Sequence, residues 1–356
     1  MSGVAAQPSI AAMAAYALSD PAPEGWTSLN QNESAFGPSP AALEAASLSS
    51  SMAALYPDPD WTDLREAIAS VHDVQKDQIM CGAGSMELIA ALIRAFVGPG
   101  DNVVGSQYGY LFVDTACQQV GAQHLRAAET DLTVSIEALG KAVNPSTRIV
   151  FLCNPGNPTG TRIANDSILK LREALPPEVI LVIDQAYGEF DTQCARPVFD
   201  LVGASNTVVL RTFSKAYALA GARVGWGLFP EAIAAQVRKL INPNNVSGVS
   251  QAMARAAMLD QANMQQTVSC TAKLREGLRE ALIASEFQCP ESHTNFILIP
   301  FTNVEAARRA DQRLRDARLV LRGMAGYGLP HCLRATIGAP EAMAKLADVL
   351  SGGPRA

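Results

Sequence analysis

From about residue 60 to residue 240 the chain alternates between two hydrophobic patterns. Segments such as "WTDLREAIASVH", "SMELIAALIRAF" and "NDSILKLREAL" repeat apolar residues every three or four positions, the spacing of a helix with one buried face. Between them stand short runs that are apolar throughout: "NVVG" at 102–105, "RIVFLC" at 148–153, "VILVI" at 179–183 and "TVVLR" at 207–211. A strand apolar on both faces must be covered on both faces, so the alternation predicts a mostly parallel sheet wrapped by helices.

The pattern changes after residue 245. One long helical stretch, "VSQAMARAAMLDQANMQQTVSCTAKLREGLREALI", precedes the strand "TNFILI", the helix "NVEAARRADQRLRDA" and the strand "HCLRATIG". These elements do not extend a wound sheet, so the expected division is a large α/β domain over 41–245 and a smaller α+β domain. The small domain takes 246–356 together with 1–40. A length of 356 residues fits two such units better than one core.

The polar residues of the core share one position. "NPGNPTG", with Asn157, follows the run at 148–153. "DQAYGEF", with Asp184 and Tyr187, follows 179–183, and "TFSK", with Thr212, Ser214 and Lys215, follows 207–211. Ligands of open α/β sheets bind beyond the carboxyl ends of the strands, so these groups converge on one crevice. "CGAGSMEL", a glycine-bearing turn that opens a helix, adds the backbone N–H groups of Gly84, Ser85 and Met86, which suit an anion. After Lys215 the Ala/Gly-rich run reads as the start of another helix and ends in Arg223.

Composition removes other classes. A formal net charge of −6 argues against nucleic acid and anionic membrane as partners. The seven cysteines are dispersed without a C-x-x-C pair, a pattern of reduced thiols and no metal site. No Lys or Arg precedes Arg65, and no apolar run approaches a membrane span, so the expected location is cytoplasmic. Nucleotide-binding and hydrolase motifs are missing from the chain: Glu87 stands where a dinucleotide fingerprint needs its last glycine.

A phosphate nest, an acid, a phenol, an amide and a lysine in one crevice suit pyridoxal 5'-phosphate (PLP). Lys215 supplies the amine for a Schiff base and Asp184 the carboxylate that keeps the pyridine nitrogen protonated. Asn157 and Tyr187 reach the ring's phenolic oxygen, while Ser214, Arg223 and the amides near 84–86 neutralise the phosphate. Lys215, Asp184 and Tyr187 are the candidate catalytic residues.

The stretches "NPGNPTG", "DQAYGEF" and "RTFSKAYALAGARVGW", in this order, closely resemble class I/II aminotransferases of PLP fold type I. "LNQNESAFGPSP", "YPDPDWTDLREAIA", "QYGYLF" and "LRGMAGYGLPHCLRATIG" narrow the resemblance to histidinol-phosphate aminotransferases. The resemblance implies an aspartate aminotransferase-like fold, with a mostly parallel seven-stranded sheet between helices, and a place in histidine biosynthesis. It further implies that Tyr108 stacks on the cofactor ring, that Thr212 shares the phosphate side with Ser214, and that Tyr56 reaches the cofactor phosphate of a neighbouring subunit in a homodimer. Arg334 would bind the substrate α-carboxylate as a planar fork. Arg322 would hold the phosphate of histidinol phosphate, with Tyr16 and Asn32 nearby.

The implied reaction moves an amino group from an amino acid or amino-alcohol phosphate to a 2-oxo acid such as 2-oxoglutarate. The segment "AAYALSDPAPEG" keeps Tyr16 but lacks the prolines and glycine that flank it in the family pattern, which leaves aromatic amino acids as alternative donors. More remote alternatives are a decarboxylase or C–S lyase of the same fold, or a non-catalytic regulator.

Overall fold

The computed structural model describes residues 4–15, 21–191 and 197–352. Its strands are β1 (Thr27–Leu29), β2 (Ile79–Gly82), β3 (Asn102–Ser106), β4 (Gln123–Ala127), β5 (Glu129–Thr130), β6 (Thr133–Val134), β7 (Thr147–Cys153), β8 (Ile180–Asp184), β9 (Thr207–Thr212), β10 (Gly225–Leu228), β11 (Phe296–Pro300), β12 (Leu319–Gly323) and β13 (Cys332–Thr336). Seven of them form one sheet in the order β2-β10-β9-β8-β7-β3-β4. Neighbouring strands from β9 to β4 run parallel, whereas β10 is antiparallel to both β2 and β9. Every residue of β8 and β9 is buried, as runs apolar on both faces require.

The chain leaves β7 towards β8 and β9 on one side, while β3 and β4 lie on the other. That reversal opens a crevice beyond the carboxyl ends of the strands. Because β2 and β9 both oppose β10, the carboxyl end of β2 opens on the same side. Helix Ser85–Phe96 follows β2 and buries Leu88, Ile89, Leu92 and Ile93 against the sheet, two pairs at helical spacing.

A second sheet, β1-β12-β13-β11, has its own apolar cluster built from Leu29 and from residues between Leu278 and Leu350. The three residues of β1 pair parallel to β12, which brings the chain's beginning to this sheet. The cluster of the large sheet runs on through Ala254, Ala257 and Met258, past the residue 245 at which the hydrophobic pattern changes.

Two expectations from the hydrophobic pattern are corrected. The long helical stretch after 248 is two helices, Gly248–Leu259 and Gln261–Ala284. Asp260 breaks the run because its carboxylate caps the second helix, accepting from the N–H of Asn263 at 3.2 Å. The Ala/Gly-rich run after Lys215 is not a helix start: it is a series of turns that feeds β10. Among the described residues no helix is long and apolar enough to cross a membrane.

Candidate active site

A cavity of about 510 Å³ opens at the crevice between the two sheets. Its floor is made by strand ends: Cys153 closes β7, Asp184 closes β8, and Thr212 closes β9, followed at once by Ser214 and Lys215. Its far wall comes from the second sheet, with Arg322 on β12 and Arg334 on β13. Asn32, Ser85, Met86, Asn157, Tyr187 and Arg223 complete the predicted set that lines it.

Lys215 is half-buried, and its Nζ donates to the backbone carbonyls of Asn32 at 2.9 Å and Gln31 at 3.3 Å. Burial, with the Arg334 and Arg223 charges adding to it, pulls its pKa from 10.5 down to about 7. A large share of the side chain is therefore the neutral, nucleophilic amine near neutral pH. Asp184 is buried at the end of β8, and its Oδ1 accepts from the N–H of Ala186 at 3.0 Å. Desolvation outweighs that bond and raises its pKa to about 6, so a cationic partner would stabilise the carboxylate against that burial cost.

Tyr187 is fully enclosed, and burial pushes its phenol above the ordinary tyrosine range. Its hydroxyl accepts from Asn32 Nδ2 at 2.8 Å. Asn32 adopts a left-handed backbone with φ 56°, which asparagine tolerates better than most residues. Its N–H donates to Thr336 Oγ1 at 2.9 Å, and its side-chain oxygen accepts from the same hydroxyl at 3.2 Å. One residue thus joins β13, Lys215 and Tyr187.

The anion end is formed by the turn before helix Ser85–Phe96. Gly84 is the N-cap, with φ 77° and no side chain to occupy the first N–H groups of the helix. Gly225 of β10 lies directly beneath: a Cβ there would stand 2.2 Å from the nitrogen of Ser85. Arg223, with left-handed φ 55°, lays its guanidinium over Gly84, where a Cβ would meet Nη2 at 2.4 Å. On the other side the Thr212 hydroxyl donates to Ser214 Oγ at 3.0 Å. Two hydroxyls, one guanidinium and the helix amides surround a space shaped for a phosphate.

Arg334 is buried across the cavity. Its Nη1 donates to Asn157 Oδ1 at 2.6 Å and its Nη2 to the carbonyl of Asn30 at 3.1 Å, which sets the plane of the fork. Arg322 and Arg334 are register partners on β12 and β13. Directly opposed residues of antiparallel strands leave the same face, so both guanidinium groups serve this cavity.

The remaining predicted residues lie elsewhere. Tyr56 is 88% exposed and lines a separate groove with Leu48, Met52 and Leu55. Tyr108 packs against the cluster of Leu298, Met324 and Leu329, while Tyr110, two residues on, reaches the cavity. Tyr16 lies outside the described residues. Glu33, Tyr110, Cys153 and Tyr327 line the cavity without having been singled out as site residues. Tyr110 and Tyr327 lie in the motifs "QYGYLF" and "AGYG", whose aromatic residues were the available signal.

The donor set fits PLP: an anion cradle at one end, a buried carboxylate for a ring nitrogen, a phenol and an amide for a ring oxygen, and an amine of lowered pKa. No histidine lines the cavity. His72 is enclosed among Phe199 and Trp226, and burial lowers its pKa to about 3.

Residues 24–350 match the family model described as aminotransferase class I and II. A histidinol-phosphate aminotransferase of Hyphomonas neptunium is 38% identical over 325 residues, 90% of this chain and 89% of its own. One of Rhodospirillum rubrum is 40% identical over 332 residues, 90% of this chain and 88% of its own. Among solved structures, the histidinol-phosphate aminotransferase of Sinorhizobium meliloti in complex with PLP has a TM-score of 0.86 at 30% identity, over 92% of this chain and 90% of that one. An aspartate aminotransferase of Thermus thermophilus shares the fold at a TM-score of 0.85 and 18% identity.

Proposed function

The chain belongs to the class I and II aminotransferases, with PLP fold type I, and from that premise we propose that it moves the amino group of histidinol phosphate to a 2-oxo acid such as 2-oxoglutarate, using PLP, within histidine biosynthesis. The observation that supports this donor best is the opposition of Arg322 and Arg334 across β12 and β13. Like charges directly opposed on a sheet face repel, and a ligand carrying two negative charges offsets that repulsion. Histidinol phosphate brings them on one dianionic phosphate, and 2-oxoglutarate, which follows it, on two carboxylates.

The residues take these roles. Asp184, whose carboxylate form a cationic ring nitrogen would favour further, would hold the proton there. PLP, when bound, supplies an electron sink that loosens the α-hydrogen of the amino donor. Lys215 Nζ takes that proton from the donor's Cα; its lowered pKa and its hydrogen bonds to the carbonyls of Asn32 and Gln31 suit a base kept at hand. Tyr187 and Asn157 orient the ring oxygen, and Asn32 fixes Tyr187. Gly84, Ser85, Met86, Thr212, Ser214 and Arg223 hold the phosphate of the cofactor. Arg334 takes a substrate carboxylate, Arg322 with Tyr16 takes the donor phosphate, and Tyr110, the tyrosine of its segment that lines the cavity, takes the place at the cofactor ring expected of Tyr108. The two half-reactions share one site, so kinetics are ping-pong.

The homodimer belongs to the same proposal. Tyr56 stands on an apolar rim with Leu48, Met52 and Leu55 exposed, remote from its own chain's cavity, which suits a residue that completes the neighbouring site. The division into a large domain over 41–245 and a small one from 1–40 and 246–356 is likewise proposed, supported by the two separate apolar clusters, with helix Gly248–Leu259 leaning on the large one.

The test is a donor panel with 2-oxoglutarate. L-histidinol phosphate is expected to exceed L-histidinol and L-phenylalanine in kcat/KM by about 100-fold, the value of a charge-assisted contact near 3 kcal/mol. Equal rates with phenylalanine would move the assignment to aromatic amino acids. Sedimentation that shows a monomer would remove the role of Tyr56.

A further inference from the structure

The anion cradle is held from behind by residues that never face the cavity. Glu87, in the first turn of helix Ser85–Phe96, reaches back so that its Oε2 accepts from the N–H of Ala83 at 2.7 Å. The same oxygen accepts from Asn245 Nδ2 at 2.6 Å, although the two residues are 158 positions apart. Asn245 Nδ2 also donates to the carbonyl of Cys81 at 3.2 Å, and its Oδ1 accepts from Trp61 Nε1 at 3.1 Å. Trp61 in turn carries the guanidinium of Arg238 on its ring face at 4.4 Å, and Arg238 donates to the carbonyl of Pro59 at 2.6 Å. An unbroken chain of contacts therefore runs from the turn at 81–87 to the loop that begins at Tyr56.

An acidic residue that reaches back at a helix start is a common local device, in which it satisfies the N-cap N–H. This one differs in two respects. It bonds the residue before the N-cap, Ala83, while the Gly84 N–H goes to the carbonyl of Gly82 at 2.7 Å. No side chain caps this helix, in contrast to the helices capped by Ser39, Ser135, Ser247, Asp260 and Asn303. The carboxylate thus fixes the turn from outside and leaves the N–H groups of Ser85 and Met86 to a ligand. It also places an acidic group in the first turn, where the helix dipole favours it but where it competes with a bound anion.

We propose that Glu87 and Asn245 are positioning residues that set the anion cradle at 84–86, and that Trp61 ties this brace to the loop carrying Tyr56. The proposal rests on the reading of that cradle as the phosphate end of the PLP site. Neither residue lines the cavity, so both act through the backbone of the turn.

The experiment compares the dissociation constants of PLP and of pyridoxal, which lacks the phosphate, for the wild-type protein and for Glu87→Ala, Glu87→Gln, Asn245→Ala and Trp61→Phe. A brace for the phosphate end predicts that Glu87→Ala and Asn245→Ala weaken PLP about tenfold and change pyridoxal less than twofold, a loss in the range of one hydrogen bond. Glu87→Gln keeps an oxygen that can accept from both partners and removes the opposing charge, so its PLP affinity equals or exceeds the wild type. Trp61→Phe, which deletes only the Nε1 donor, weakens PLP by a few-fold and guards against misfolding of the other variants. Equal loss of PLP and pyridoxal, or no loss of either, overturns the proposal. A wild-type protein that does not prefer PLP to pyridoxal overturns the phosphate assignment itself, and the brace with it.

Discussion

Arg322 and Arg334 stand opposite each other across β12 and β13, two cationic side chains at one register position facing one cavity. Their surroundings separate their duties. Arg334 is buried, with Nη1 tied to Asn157 and Nη2 to the carbonyl of Asn30, whereas Arg322 is half-buried at the rim. Replacing Arg322 by Gln is expected to lower kcat/KM for a phosphate-bearing donor roughly 10- to 100-fold, with little effect on donors that lack a phosphate. Replacing Arg334 by Lys removes the planar fork and is expected to raise KM for every carboxylate substrate. Steady-state kinetics with L-histidinol phosphate, L-histidinol and 2-oxoglutarate distinguish the two, and identical profiles for both variants contradict the division.

Asn32 connects Tyr187, Thr336 and Lys215 from a left-handed backbone position. In Asn32→Ala the Tyr187 hydroxyl loses its donor, and a β-carbon without a polar tip must keep φ near 56°. The expected outcome is about a tenfold drop in kcat, consistent with one lost hydrogen bond of ~1.4 kcal/mol, with cofactor affinity changed less. An unaltered kcat shows that Tyr187 is oriented by other contacts.

Lys215 titrates near pH 7 in the fold, below its ordinary value of 10.5. Between those values the unfolded chain binds the extra proton, so the stability of the cofactor-free protein rises with pH across that window. Below pH 7 both states are protonated and the slope vanishes. Urea unfolding of wild type and Lys215→Met at pH 7 and pH 9 checks this: the wild type gains on the variant as pH rises, and parallel behaviour refutes the shift. Capture of PLP by the cofactor-free wild type follows the same titration, accelerating as pH rises through about 7.

Behind the site, Arg211 Nη1 and Glu189 Oε1 form a 2.9 Å ion pair with both side chains buried. It joins β9, which delivers Lys215, to the loop after β8, which carries Tyr187. Arg211→Ala strands the Glu189 carboxylate, whose pKa burial already raises, and is expected to cost about 3 to 5 kcal/mol. A double replacement of Arg211 and Glu189 by apolar residues recovers most of that loss. Denaturant midpoints for both variants give the answer, and an Arg211→Ala protein as stable as wild type removes the pair from the account.

The parallel core was legible because its strands are apolar on both faces, and the polar residues that follow them could go only to the crevice. Asn157, Asp184, Tyr187, Ser214 and Lys215 were found on that ground alone, and all line the cavity. β10 was missed because "GWGL" has glycines where a strand signal needs side chains; those glycines are required by the backbone of Ser85 and by Leu210 close above them. Asp260 was read as part of one helix because a capping carboxylate and an exposed helical aspartate look alike in a polar stretch. The brace of Glu87 and Asn245 was out of reach, since its two halves meet only after β2 and the loop near 245 are packed side by side.

The central claim is that Lys215 is the amine of a PLP-dependent aminotransferase, and the visible absorbance of the purified protein loaded with PLP tests it most directly. The wild type is expected to show the absorbance of a lysine-bound cofactor, to lose it on addition of L-histidinol phosphate and to regain it with 2-oxoglutarate, while Lys215→Ala shows no such band. A Lys215→Ala protein that keeps both the band and turnover, or a wild type whose spectrum no amino donor changes, contradicts the account.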